Sequence, residues 1–200
     1  MIDLDRLEGK VGACQECDLC RSAENRVFGS GSISANLMFV GDAPGREENA
    51  AGIPFVGDAG QLLNKALEKL GVSRDITYGA NLLKCWPPGN RKPEKHEIAT
   101  CVSYLEEQIR LIQPKVLLAL GAASAQTLLQ INSSIGKIRG RVFAGPHEVL
   151  TVPTWHPGYI LRCGSMRGGS KSRQKKAAKE FIADLKLALD LAEVKWEEAE

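Results

Sequence analysis

The chain has 200 residues, enough to bury a core within one domain spanning 1–200. Hydrophobic residues make up 44% and charged residues 25% of it, the proportions of an ordinary globular protein. The formal net charge is only +2, so the chain is not globally basic, and no apolar run is long enough to span a bilayer.

Residues 3–12 are expected to form a short helix. "MIDLDRLEGKVGAC" carries acids and lacks the apolar core of a signal peptide, which predicts a cytoplasmic protein. In that compartment six cysteines are not expected to form structural disulfides. "CQECDLC" follows, with Cys14, Cys17 and Cys20. "ANLMFVG" (35–41) reads as a short buried strand that ends in the glycine loop "GDAPG". A glycine loop at a strand end, holding the single carboxylate of Asp42, suits a phosphate cradle, the floor of a base pocket or a tight turn. The chain has no GxxxxGK[ST], which disfavours a nucleoside-triphosphate cradle.

"AGQLLNKALEKLG" (59–71) spaces its leucines as a helix does and stops at Gly71. Residues 75–85 read as a second strand, and 92–114 as a long amphipathic helix with proline near its start and after its end. "KVLLALG" (115–121) is a third strand, followed by a helix over "AASAQTLLQ". "HEVLTVPTWHP" (147–157) is a fourth strand running into a loop, and 172–194 form the closing helix. Strands alternating with helices predict an α/β fold: a three-layer α/β/α sandwich around a central, mostly parallel four-stranded sheet. Sites in such sheets lie beyond the carboxyl ends of the strands, where Asp42, Asn81 and His156 fall.

Thiolates at the spacing of Cys14 and Cys17 converge naturally on one metal, and others can close the set. Four thiolates suit either zinc or a [4Fe–4S] cluster. Cys85 and Cys101 are not a second closely spaced pair, which favours iron–sulfur. Arg162, Arg167, Lys171, Arg173, Lys175, Lys176 and Lys179 form a basic stretch with no acid among them, suited to phosphates or to a solvated helix face.

"GDAPGREENAAGIPFVGDAGQLLN", "NLLKCWPPGNRKPEKHEIATC" and "WHPGYILR", in that order, resemble the family 4 uracil-DNA glycosylases, iron–sulfur members of their superfamily. The resemblance covers roughly residues 10 to 190. It implies a monomer that flips uracil out of single- or double-stranded DNA and hydrolyses its N-glycosidic bond, leaving an abasic site. It also implies a [4Fe–4S] cluster held by Cys14, Cys17, Cys85 and Cys101, with Cys20 as a spare thiol able to replace one of them.

Matched residue by residue, Phe55 stacks on the flipped base, while the Asn81 amide reads N3–H and O4 and refuses cytosine. His156 stabilises the charge that develops on uracil O2. Gly41, Ala43 and the neighbouring backbone line the base, and Glu48 crowds the site of thymine's 5-methyl group. Tyr159, Ile160 and Leu161 supply the wedge that fills the emptied stack, Ile160 foremost, and Arg162 holds phosphate. Asp42 is the acid nearest the attacking water; the family usually has Glu there, and Ala43 stands where family 1 enzymes keep their catalytic Asp. Two relatives of this reading are a covalent uracil trap and a non-catalytic iron–sulfur DNA-binding protein. The trap carries an inserted arginine-rich loop and a histidine in place of Cys85, and this chain has neither.

Overall fold

A computed structural model describes residues 3–164 and 170–197. Four parallel strands form its centre: β2 (Leu37–Gly41), β3 (Tyr78–Asn81), β4 (Val116–Leu120) and β6 (Leu150–Thr154). The expected four-stranded sheet is extended to six by two edge strands of two residues each. β1 (Ser30–Gly31) runs antiparallel to β3, and β5 (Phe143–Ala144) antiparallel to β6, in the order β1-β3-β2-β4-β6-β5. Strands so short carry no alternation for a sequence pattern to report.

The apolar strands are buried on both faces, as a parallel sheet requires. Leu37, Phe39, Val116, Leu118 and Leu120 point to one face. There they meet Leu63 and Leu67 of α4 (Asp58–Lys69) and Phe181, Leu185 and Leu189 of α9 (Lys171–Leu191). Met38, Val40, Leu117 and Ala119 point to the other. That face packs on Leu105 and Ile109 of α5 (Lys95–Ile112) and on α6 (Ala122–Leu129) and α7 (Ile135–Ile138). The α/β/α layering therefore follows from the period of two in the strands and of 3.6 in the helices. Two helices precede the sheet, α1 (Leu4–Gly12) and α2 (Leu19–Ser22). Among the described residues no helix is long and apolar enough to cross a membrane.

Several boundaries differ from the sequence expectation. Residues 74–76 form a 3-10 turn before β3, and the chain leaves the sheet at Leu82, so the second strand is shorter than 75–85. Two short helices form where the sequence predicts none: α3 (Arg46–Ala51), in a segment given no element, and α8 (Pro157–Gly164), in a segment expected to be a loop. The second corrects a residue role as well. Ile160, expected as the foremost DNA wedge, is 1% exposed and packs into the core beneath α8.

One buried ion pair locks the strand end that leads to the site. Asp184 on α9 accepts from Arg139 Nε at 2.9 Å and from Thr154 Oγ1 at 2.6 Å, while Arg139 also reaches the Glu180 carbonyl at 2.9 Å. Burial pushes the Asp184 carboxyl up, and its hydrogen bonds to Thr154 and Arg139 oppose that. Removing the carboxylate takes the main ion-pair partner from Arg139 and the acceptor from the buried Thr154. Asp184→Ala is expected to cost about 3–5 kcal/mol in urea-unfolding measurements.

Candidate active site and cysteine cavity

Strand order places the crevice. β3 lies on one side of β2 and β4 on the other, so the chain reverses its direction of travel across the sheet at β2 and β4. Ligands of open α/β sheets bind where that reversal occurs. Asp42 stands one residue beyond β2, and Gly121 one residue beyond β4. Ser124, in the first turn of α6, donates its N–H to Asp42 Oδ1 at 2.8 Å. A carboxylate from one strand thus engages an N–H that the start of a helix leaves without an intrahelical partner.

Gly121 has a φ of 108°, and a methyl group on it would lie 3.1 Å from His156 Cβ and 3.5 Å from Asp42 Oδ2. Glycine is needed there twice, for the backbone angle and for the closeness of both side chains. His156 sits between β6 and α8, and the Gly158 N–H donates to its Nδ1 at 3.0 Å. An accepting Nδ1 leaves the proton of the neutral ring on Nε2. Burial pushes the His156 pKa down, and the charge of Asp42 opposes it; Arg162 pushes the same way as burial. Burial likewise pushes Asp42 up, against the field of His156 and the hydrogen bond from Ser124. Each group is drawn towards its neutral form.

The base-sized side of the crevice is built on bare backbone. In the β2–β3 register Gly41 faces Asn81. A methyl group on Gly41 would lie 2.3 Å from Asn81 Oδ1 and 3.3 Å from the Phe55 ring, and one on Gly79 would lie 2.9 Å from that ring. Phe55 is 8% exposed and joins the core, with a φ of 62°. A phenylalanine held in the left-handed region costs about 1–3 kcal/mol and persists only where its surroundings over-determine it. Gly60 is part of that constraint, since a methyl group there would meet the Phe55 carbonyl oxygen at 2.0 Å. Asn81 is 3% exposed, yet no hydrogen bond among the described residues engages its side-chain amide. Asn81, Gly41, Asp42 and His156 thus line up along the carboxyl edge of the sheet.

Glu48, expected to crowd the site of a thymine methyl group, has both carboxylate oxygens bonded to backbone. It is 7% exposed, and its two oxygens accept the Gly45 and Gly57 N–H groups at 2.9 and 2.8 Å. The carboxylate ties the loop after β2 to the loop that carries Phe55. Glu48→Ala is expected to lower unfolding stability by about 1–3 kcal/mol by orphaning those two donors, and to leave discrimination against thymine intact. Parallel denaturation and excision assays read the two effects separately.

Along α8 the expected DNA contacts divide. Tyr159 stacks on Trp155 with ring centroids 4.8 Å apart, and Trp155 Nε1 donates to Glu180 at 2.7 Å. Leu161 is half-buried and Arg162 exposed. Lys171, Arg173, Lys175, Lys176 and Lys179 are exposed on the first half of α9; Arg167 lies outside the described residues.

The cysteines gather behind the crevice. Cys14, Cys17, Cys20, Cys85 and Cys101 line one cavity, and Cys163 is buried apart from it on α8. Ala43 packs against the apolar cluster of Leu19, Leu83, Cys85 and Cys101, so the loop after β2 rests on this cavity's wall. Among the described residues no three acidic, histidine or cysteine side chains converge tightly enough for a single metal ion. A four-iron cluster distributes its thiolates over separate irons and fits the wider gathering better. Burial pushes the Cys85 thiol up to about 12 and the Cys101 thiol up as well, so each stays protonated without a metal.

Lys84 was not singled out in the sequence, although a lysine inside the apolar run "ANLLKCW" is itself a signal. It is 1% exposed, and its ammonium donates to Phe28 O, Asn81 O and Gln108 Oε1 at 3.1, 3.0 and 2.6 Å. Its backbone N–H donates to Cys101 Sγ at 3.3 Å. Burial lowers its pKa to about 7, opposed by Cys101. Lys84 therefore links the Asn81 backbone to the cysteine cavity.

The His156 ring gives a direct readout of the site's electrostatics. Its NMR titration midpoint is expected below the ordinary 6.5, because desolvation outweighs the Asp42 field. Asp42→Asn removes that field and should lower the midpoint further. A midpoint that rises in the variant contradicts this balance.

The model of the uracil DNA glycosylase superfamily matches residues 28–186. A type-4 uracil-DNA glycosylase of Pyrobaculum aerophilum is 37% identical over 94% of this chain and 98% of its own. One from Saccharolobus solfataricus is 38% identical over 95% and 91%, and one from Thermotoga maritima 40% identical over 76% and 80%. With the crevice, its strand-end residues and the matches along nearly the whole length in agreement, the chain belongs to the type-4 family of the uracil-DNA glycosylase superfamily.

Proposed function

We infer that the protein is a uracil-excising DNA-repair glycosylase, a monofunctional N-glycosyl hydrolase that acts as a monomer and a single domain on single- or double-stranded DNA. The observation that carries this reading is the nearly buried Asn81 amide, which has no partner among the described residues and lies beside the Phe55 ring and Gly41. A planar base with one donor and one acceptor on its edge fits that place. A flipped uracil stacks on Phe55, donates N3–H to the Asn81 carbonyl and accepts at O4 from its NH2. Cytosine brings an amino group against that NH2, and both donors are left unpaired.

His156 offers Nε2–H to uracil O2, where negative charge develops as the N-glycosidic bond lengthens. A neutral donor suits this task, since it stabilises the leaving anion without first giving its proton away. Asp42, fixed by Ser124, orients water towards the sugar carbon and balances its cationic character. No lysine serves as a Schiff-base nucleophile, so an abasic site is the product. Leu161 and Arg162 face the opened stack and its phosphate, and the exposed basic half of α9 makes binding fall with salt.

Cys14, Cys17, Cys85 and Cys101 hold a [4Fe–4S] cluster, with Cys20 alongside as the spare thiol. When bound, that cluster supplies a cross-link between the α1–α2 turn, the segment after β3 and α5, and takes no part in the hydrolysis. The fit rests on five cysteines around one cavity and on thiols whose burial favours surrender of their protons only to a metal.

Release of uracil from a uracil-containing oligonucleotide tests the function, and normal binding without release contradicts it. Phe55→Ala is expected to lower kcat/KM by roughly 10- to 100-fold, from about 1–3 kcal/mol of lost stacking. Asn81→Ala should erase the preference for uracil over cytosine. Retention of full selectivity in that variant refutes the base-reading role.

A further inference from the structure

One buried polar atom at the cysteine cavity has no hydrogen-bond partner among the described residues. Two basic side chains line it, Lys84 and Arg26. The Lys84 ammonium is turned to three oxygen acceptors and gives the sulfurs only its backbone N–H. Arg26 is arranged differently. Its Nη1 reaches the Ala23 carbonyl at 3.5 Å and its Nη2 the Cys14 carbonyl at 3.3 Å. Its Nε is buried and has no hydrogen-bond partner among the described residues. No carboxylate among them pairs with this guanidinium. A buried, charged N–H without an acceptor is rare in a folded protein and marks a place where an acceptor belongs.

The chemistry of that acceptor follows from the walls. Besides apolar side chains they carry five cysteine sulfurs, the two cations and the hydroxyls of Thr100 and Tyr104, with no carboxylate, so an anionic occupant that bonds through sulfur fits them. We propose that Arg26 is the counter-cation of the cysteine cavity, donating Nε–H to a sulfur of the iron–sulfur cluster that the surrounding cysteines hold. The proposal rests on the cluster reading above. A [4Fe–4S] core with four thiolates is a net anion, and it gains a further negative charge on one-electron reduction. A buried cation within hydrogen-bond reach favours the reduced state and holds the oxidised one against loss of iron. The field of Arg26 is also the leading counterweight to burial at the Cys85 thiol. The other donor to a sulfur is neutral, the Lys84 N–H that serves Cys101, and the Tyr104 hydroxyl on the cavity wall reaches Glu16 Oε1 at 3.5 Å. Arg26 adds the charge that these two lack.

The test compares wild type, Arg26→Gln and Arg26→Lys, all purified without oxygen. Iron and sulfide content, the visible charge-transfer band, the midpoint potential and the rate of iron loss to a chelator are measured. Wild type is expected to carry the cluster. Arg26→Gln is expected to shift the potential to more negative values and to release iron on the order of tenfold faster. Arg26→Lys keeps the charge but not the fork, so it should recover most of the potential while still losing iron faster than wild type. A loaded Arg26→Gln protein with wild-type potential and iron loss overturns the Arg26 proposal and leaves the cluster reading standing. If Arg26→Gln does not fold, Arg26→Lys decides, and wild-type iron loss in that variant overturns the proposal. Wild type without iron or sulfide overturns the cluster reading beneath it.

Discussion

The pairing of β2 with β3 does not stop where the sheet does, and the site depends on that continuation. Leu82 N–H donates to the Gly41 carbonyl at 2.9 Å, and Leu83 N–H to the Asp42 carbonyl at 3.2 Å. These two bonds hold the loop after β2 against the segment that runs from Asn81 to Cys85. On one side of the seam lies Asp42, and on the other, along one continuous segment, Asn81, Lys84 and Cys85 at the cysteine cavity. Ala43 packs on the same apolar cluster as Leu83, Cys85 and Cys101. A shift of the cysteine wall is therefore transmitted to the Asn81 amide through backbone, without any soft side chain between. Under the proposed function, the cluster has a purpose without redox chemistry: it clamps a seam that two hydrogen bonds alone, each worth about 1 kcal/mol net, hold weakly.

The carboxyl edge of the sheet concentrates polar groups that water no longer solvates, and almost every one has an internal partner. Glu48 accepts two backbone N–H groups, Asp42 accepts one from α6, His156 accepts one from Gly158, and Asp184 holds Arg139 and Thr154. Such satisfaction is what allows buried polar networks to rigidify a fold rather than weaken it. The exceptions then carry information. Among the described residues the Asn81 amide lies at the crevice and Arg26 Nε at the cysteine cavity; the buried Asn64 Oδ1 also lacks a partner, so a missing partner points to a ligand only where a crevice or cavity adjoins it.

What could be read from the sequence was what local pattern determines. "ANLMFVG" and "KVLLALG" are apolar runs of strand length, and their burial on both faces follows from that alone. The strand-end rule gathered Asp42, Asn81 and His156 because it needs only topology. Side-chain roles that depend on distant partners were not legible. Glu48 looks like one of two neighbouring exposed acids until Gly57 is brought to it, and Ile160 looks like a free wedge until α8 folds over the core. "HPGY" gives no helical period because α8 is eight residues long and opens on a proline. Arg26 and Lys84 stand in segments without regular structure, so no periodicity marks them; only the fold brings the cavity to Arg26 and three oxygen acceptors to the Lys84 ammonium.

The shorter acid at position 42 is the last consequence of this geometry. Asp42 reaches the start of α6 with Oδ1, while Oδ2 lies beside Gly121 and His156. A glutamate, the family's usual residue there, carries one more methylene and cannot keep the Ser124 bond with the same backbone unless its chain folds back over Gly121. That room is small, because a methyl group on Gly121 already stands 3.1 Å from His156 Cβ. Asp42 thus suits a site in which one carboxylate serves two groups at once. It caps the helix, and its field raises the proton affinity of His156 that burial lowers. Under the proposed function, stabilisation of the departing uracil and placement of the water are then coupled through a single side chain. The identity of residue 42 then tunes how far burial lowers the His156 proton affinity and sets the distance from acid to sugar.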